Sequence, residues 1–200
     1  MPKPSYHHGD LKTALLVAAR TILAEEGLSK LTLRATARKA GVSQAAPYYH
    51  FPDKENLLAS VAAEGFLDLA SLMERYAAEA KSPADRLQKL GIGYVVFAVK
   101  NAAVFRLMQG PYFENPGKFD FLQSAADLSS AALKHAVHIC LPDADRKQLE
   151  MACAAAWALV HGTAVLRMDG RMSQVTDIED DAELTQCITH QMDIKRVLSL

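Results

Sequence analysis

The stretch "LTLRATARKAGVSQAAPYYHFPDK", Leu31 to Lys54, decides the fold. Thr32 can cap a helix running to about Ala40, with Leu33, Thr36, Ala37 and Ala40 on its inner side. Gly41 can take the left-handed conformation that ends such a helix, and Val42 plugs the corner. Ser43 reads as the cap of a second, short helix that Pro52-Asp53 terminates. Two short helices joined by a tight glycine turn make a helix-turn-helix. On a wheel of 100° per residue, Gln44, Ala45, Tyr48 and Tyr49 share one half. Ala46, Pro47, His50 and Phe51 share the other. The first set is an amide, a methyl and two phenols, which have no reason to be core. It suits a DNA groove, where Gln pairs with adenine, methyls meet thymine and tyrosines reach bases or phosphates. Pro47 limits the helix: deep inside one it would cost about 3 kcal/mol, so the reading element must be short. Lys54, opening the next helix, can reach a phosphate.

Charge points the same way. The chain of 200 residues has a net charge of −1. Residues 1–54 hold eight Lys/Arg against four Asp/Glu, while residues 55–200 hold fourteen against nineteen. A basic end on a nearly neutral chain attracts polyanions. Cys140, Cys153 and Cys187 are widely spaced and read as reduced thiols, with a redox sensor as the alternative. No H-E-x-x-H, Gly-rich phosphate loop or nucleophile motif marks an enzyme, and no metal or cofactor is expected. No apolar run approaches the ~18–20 residues of a membrane span, and no secretion signal is evident, so a cytoplasmic location and no membrane partner are expected.

Outward from this stretch, the whole chain reads helical, an all-α fold of about nine or ten helices. Leu11, Leu15, Ala18, Ala19, Ile22 and Leu23 set a helix over about 10–26, with Asp10 as cap and Gly27 as stop. Further helices are expected over about 54–81, 83–100 (Ser82 cap, Pro83 first), on to 109, 118–140, 144–168 with Asp143 as cap, and 179–198. The domain division is 1–54 for the helix-turn-helix and 55–200 for a helical bundle. Aromatic and apolar residues gather in the bundle. They are core or, in part, the walls of an apolar ligand pocket, for which Phe97, Phe105, Met108, Phe121, Trp157 and His161 are the candidates. His161 shares the Trp157 face, as a pocket polar group or a satisfied core histidine. "MACAAAWALVHGTAVL", Met151 to Leu166, is so apolar that it must be covered on most sides, and Gly162 sits in its middle.

"LTLRATARKAGVSQAAPYYHFPDKENLL" strongly resembles the DNA-binding domain of the TetR (tetracycline-repressor-like) family of bacterial transcription regulators. The marks are a Thr-capped helix, A-G-V-S, Tyr-x-His-Phe, then Lys and an apolar pair; "YHHGDLKTALLVAARTILAEEG" is similar to that family's first helix. "WALVHGTAVL" is similar to a Trp-His-Gly signature of one C-terminal subgroup. The resemblance implies phosphate contacts at Thr32, Tyr48, His50 and Lys54, and base-edge contacts at Arg34, Gln44, Ala45 and Tyr49, with Ser43 beside them. For His50 the wheel points inward while the resemblance assigns a phosphate. Thr36 and Pro47 depart from the family's usual larger aliphatic and leucine. The resemblance further implies a homodimer through the last two long helices, with Trp157, Gly162, Val165, Ile188 and Met192 as candidate interface residues. It implies double-stranded operator DNA and a small-molecule effector as partners, and most often repression. Activation, redox response, or a protein-binding adaptor without DNA are the alternatives.

Overall fold

A computed structural model describes residues 8–113 and 116–191. Among these residues it contains eight α-helices and no strand: α1 His8–Glu25, α2 Leu33–Lys39, α3 Lys54–Ala77, α4 Pro83–Lys100, α5 Ala102–Gln109, α6 Asp120–Cys140, α7 Arg146–Met168 and α8 Asp181–His190. Three short 3-10 turns, Ala46–Tyr49, Pro116–Lys118 and Met172–Gln174, complete the set. The expected all-α class holds, with eight α-helices against an expectation of about nine or ten.

The chain divides into two compact units. The first comprises Met1–Gly65 and Ala103–Gln123, the second Phe66–Ala102 and Ser124–Leu200. The division at residue 54 expected from the sequence is one of roles, whereas the first compact unit also takes in α5 and the segment after it.

In the first unit α1 packs on α2, and α2 on the Ala46–Tyr49 turn. Leu15, Ala19, Ile22, Leu31, Ala37, Phe51, Leu57 and Val61 are buried there, as are Phe105, Leu107 and Phe119. Burial of large side chains of this kind contributes about 1.5–3 kcal/mol each. α1 begins at His8, so Asp10, the cap expected from the sequence, lies inside its first turn. α3 approaches α5 at Gly65, where a Cβ would stand 2.6 Å from Met108 Sδ and 2.7 Å from Val104 Cγ1.

In the second unit α4 is the central element, packed on both α7 and α8. Leu90 through Ala98 are all buried, which accounts for its unbroken apolar run. Ser82 caps it by accepting from the Asp85 N–H at 3.2 Å, with Pro83 in the first turn, as expected. α7 is capped by Asp145, not Asp143. The Asp145 carboxylate accepts from Gln148 N–H at 2.8 Å, and Gln148 Oε1 accepts from Asp145 N–H at 2.9 Å, a reciprocal capping box. Arg167, near the end of α7, clasps the approach to α8: its Nε donates to Asp181 Oδ1 at 2.7 Å, and its other nitrogens donate to the carbonyls of Ile178 and Glu179.

Two helices, α3 and α7, are long and apolar enough to cross a membrane by length and composition, which corrects the sequence expectation. Alanine-rich windows supply that hydropathy without any unbroken run of large aliphatics. Half of the apolar window of α3 is buried within the protein, but only 22% of that of α7.

Candidate nucleic-acid interface

The Thr32 hydroxyl accepts from Ala35 N–H at 3.0 Å and so starts α2, while Thr36 and Ala37 are fully buried beneath it. Gly41 has φ +70°, the left-handed region that lets the chain reverse without strain. Val42 N–H then donates to Ala37 O at 3.0 Å, closing the turn.

The segment after this turn is not the short α-helix expected from the sequence. Gln44 and Ala45 form a turn and Ala46–Tyr49 a 3-10 helix. The bonds are Ala46 N–H to Ser43 O, Tyr48 N–H to Ala45 O and His50 N–H to Pro47 O, each three residues back. Proline explains the tightening. Pro47 has no N–H to donate to the Ser43 carbonyl, so the α ladder loses its bond there and the i→i−3 pattern takes over. Ser43 contributes its backbone carbonyl, and the 3-10 helix has no side-chain cap.

The sorting of side chains survives this change of pitch. Pro47 and Phe51 are buried, whereas Gln44 and Ala45 are exposed. Tyr48 is 50% exposed and Tyr49 83%. Arg34 and Ser43 are also exposed. His50 is half-buried, and its Nε2 is buried without a hydrogen-bond partner among the described residues. That nitrogen points into the protein, as the wheel indicated.

Lys54 is exposed at the start of α3, its Nζ 3.4 Å from the Leu28 carbonyl, a long and weak bond. Asp53 caps α3 through one oxygen, which accepts from Asn56 N–H at 2.8 Å and from Asn56 Nδ2 at 2.9 Å. The backbone bond from Asn56, foremost, holds the Asp53 carboxyl below the usual carboxylate range. Lys118 forms an ion pair with Glu55 at 2.7 Å. This partner lies 63 residues along the chain, and no spacing in the sequence announces it.

The expected pocket residues divide between the units. In the first, Phe105 and Met108 are buried, and Phe121 is 47% exposed. In the second, Phe97 is buried and Trp157 is 49% exposed. There Tyr94 joins Trp157 to His161: Trp157 Nε1 donates to Tyr94 Oη at 3.3 Å, and Tyr94 Oη lies 2.9 Å from His161 Nδ1. Burial pushes the Tyr94 phenol up to about 12 and the His161 imidazole down. The phenol therefore keeps its proton at neutral pH, and one hydrogen bond joins it to the His161 ring.

On α7, Met151, Ala154, Trp157, Ala158 and Leu166 are exposed, with Gly162 and Val165 half-buried between them. These positions recur at helical spacing and form one apolar stripe. Gly162 faces open space: a Cβ there meets nothing within 4 Å. Ile188 on α8 is half-buried, and Met192 lies outside the described residues. Cys140 and Cys153 flank a small cluster of Val137, Leu141 and Ala152. Burial pushes the Cys153 thiol up, only partly offset by Lys134, so it is held as a thiol and not a thiolate.

Residues 15–61 match the family described as bacterial regulatory proteins, tetR family, and residues 87–189 match a tetracyclin repressor-like C-terminal domain. A solved structure of a Rhodococcus sp. RHA1 protein of unknown function is 30% identical, with a TM-score of 0.81, covering 99% of this chain and 100% of that one. The TetR family regulator PfmR of Thermus thermophilus shares the fold at 19% identity, with a TM-score of 0.65 over 91% of this chain and 97% of that one. The nucleoid occlusion factor SlmA of Vibrio vulnificus (strain YJ016) is 32% identical over 108 residues, 50% of this chain and 53% of that protein. The chain thus spans about half the length of the curated relatives it matches.

Proposed function

This chain belongs to the tetracycline-repressor-like family of bacterial regulatory proteins, and from that premise we propose that it is a DNA-binding repressor released by a small, mostly apolar effector. One observation carries the reading: Gln44, Ala45, Tyr48 and Tyr49 are all exposed on the turn after α2, and Lys54 is exposed at the start of α3. Gln44 and Tyr49 read base edges with Ala45 and Arg34, while Thr32, Tyr48 and Lys54 hold the backbone, and Ser43 lies among them. His50 acts from beneath, its Nε2 being turned inward. Residues 1–54 carry this role, and residues 55–200 carry effector binding and dimerisation.

The apolar stripe of α7 supports a homodimer, in which a second copy covers Met151, Trp157, Gly162, Val165 and Leu166, with Ile188 alongside. A two-fold then sets two reading turns about one DNA turn apart on a palindromic operator. The Trp157–Tyr94–His161 chain gives an otherwise apolar region the directed polar groups that orient a ligand, and it contains the Trp and His of the subgroup's Trp-His-Gly signature. Effector binding favours a state with a different spacing of the reading turns and weakens operator binding by a coupling energy of about 1–3 kcal/mol. On this reading the protein acts on DNA in the bacterial cytosol and catalyses no reaction.

An electrophoretic mobility shift with the promoter region of the chain's own gene tests the reading. A salt-dependent shift is expected, and absence of any shift at low salt with intact dimer overturns it.

A further inference from the structure

The charges around Lys54 do not favour DNA on their own. Asp53, Lys54 and Glu55 are consecutive, so the triplet carries one net negative charge. Asp53 is exposed and ionised, its oxygen engaged in capping α3. Glu55 is half-buried in the first turn of α3. A phosphate approaching Lys54 therefore meets a carboxylate on either side of it in sequence.

A cation from elsewhere in the chain corrects this. Lys118 ends the Pro116–Lys118 turn, between α5 and α6. Its Nζ is 2.7 Å from Glu55 Oε2 and 5.2 Å from the centroid of the Phe119 ring. Phe119 is only 3% exposed and packs edge-on against Phe113 and Phe121, at 6.3 and 5.8 Å between centroids. The buried ring adds a weak attraction that favours this position of the ammonium beside Glu55. Its field also reaches Asp53, as a smaller contribution after the Asn56 hydrogen bonds.

We propose that Lys118 is a positioning residue for DNA binding, which neutralises Glu55 and makes the charge around Lys54 compatible with a phosphate. The proposal rests on the interface reading above. It assigns part of the DNA-binding function to a residue outside the helix-turn-helix, acting through Glu55 and not on the DNA itself.

The test compares Lys54→Ala, Lys118→Gln, Glu55→Gln and the double variant Glu55→Gln/Lys118→Gln with the wild type. Affinity for a fluorescent duplex of the gene's own upstream region is measured by anisotropy at low and at physiological salt. Lys118→Gln should weaken binding about two- to fivefold at low salt and less at higher salt, where screening shortens the reach of Glu55. Glu55→Gln should bind at least as well as the wild type. The double variant, with the wild-type net charge, should recover wild-type affinity. A Lys118→Gln protein with unchanged affinity, or a loss that persists in the Glu55→Gln background, overturns the proposal. Thermal melting of each variant separates loss of fold from loss of affinity, and should Lys118→Gln fail to fold, the double variant and Glu55→Gln decide alone. Lys54→Ala without effect sinks the underlying interface reading; an effective Lys54 with a silent Lys118 sinks only this inference.

Discussion

Gly93 lies so close to Met73 that a Cβ built on it would stand 2.7 Å from the Met73 Cα and 3.1 Å from its backbone nitrogen. The obstacle is backbone and cannot swing aside as a side-chain tip would. Gly93→Ala should therefore cost about 1–3 kcal/mol by forcing α3 and α4 apart. Urea denaturation at fixed protein concentration measures this, and an unchanged midpoint would show that the crossing tolerates a side chain.

Gly162 is the opposite case, with open space where its side chain would be. Within one protomer, Gly162→Ala should stabilise α7 by up to about 1 kcal/mol through helix propensity. If a second copy covers the stripe, Gly162→Leu should instead drive the protein towards monomer. Light scattering coupled to size exclusion reads the mass. A Leu variant that stays dimeric removes Gly162 from the interface.

The Arg167 clasp holds the approach to α8 by one ion pair and two carbonyls, with both charged side chains largely buried. Asp181→Asn keeps the shape and removes the charge, and Arg167→Ala removes all three bonds. The alanine variant should lose about 1.5–3 kcal/mol and the asparagine variant less. Equal losses would mean that the carbonyl bonds contribute nothing.

Tyr49 is nearly all exposed, so Tyr49→Ala should leave stability within about 0.5 kcal/mol. On DNA it should change site preference, as should Gln44→Ala. Lys54→Ala should weaken all sequences alike and lower the salt dependence by about 0.9 in slope for each phosphate it no longer neutralises. Selection from a randomised duplex pool distinguishes the two outcomes. A Lys54 variant with altered preference would invert the assignment.

Protonation of His161 should oppose folding. Burial lowers its folded pKa below the ordinary 6.5, so the unfolded chain takes the proton first as pH falls. The stability of the neutral state is complete above that value and is lost progressively below it. Wild type should lose more stability between about pH 7.5 and 5.5 than His161→Gln does. Parallel denaturation curves at both pH values would exclude the effect. At the alkaline end the Tyr94 phenol, raised from 10.0 to about 12, should cost stability over that window for the same reason in reverse.

Much of the fold is legible from local signals. Thr32, Gly41 and Ser82 each act through neighbours within a few residues, and those spacings are written in the chain. The outward set Gln44, Ala45, Tyr48 and Tyr49 is legible too, because side-chain polarity sorts the faces whatever the pitch. The pitch itself is not: a wheel assumes an α-helix, and Pro47 converts a missing donor into a 3-10 turn. At the start of α7 two aspartates compete for the cap. Asp143 stands nearer the proline, but only Asp145 has a glutamine three residues on to return its hydrogen bond. The role of Lys118 is invisible in sequence, since its partner Glu55 is brought to it by the packing of the first unit and by nothing periodic.

The chain has a single tryptophan. Trp157 stands on the apolar stripe of α7, half exposed, with its indole N–H bonded to the Tyr94 phenol. Its emission is thus a built-in, label-free gauge of two separate events. Dilution that parts two copies should shift the spectrum to the red as water reaches the ring, and a ligand reaching Tyr94 or His161 should change the intensity at constant mass. One spectrometer can then follow assembly and effector binding in the unmodified protein.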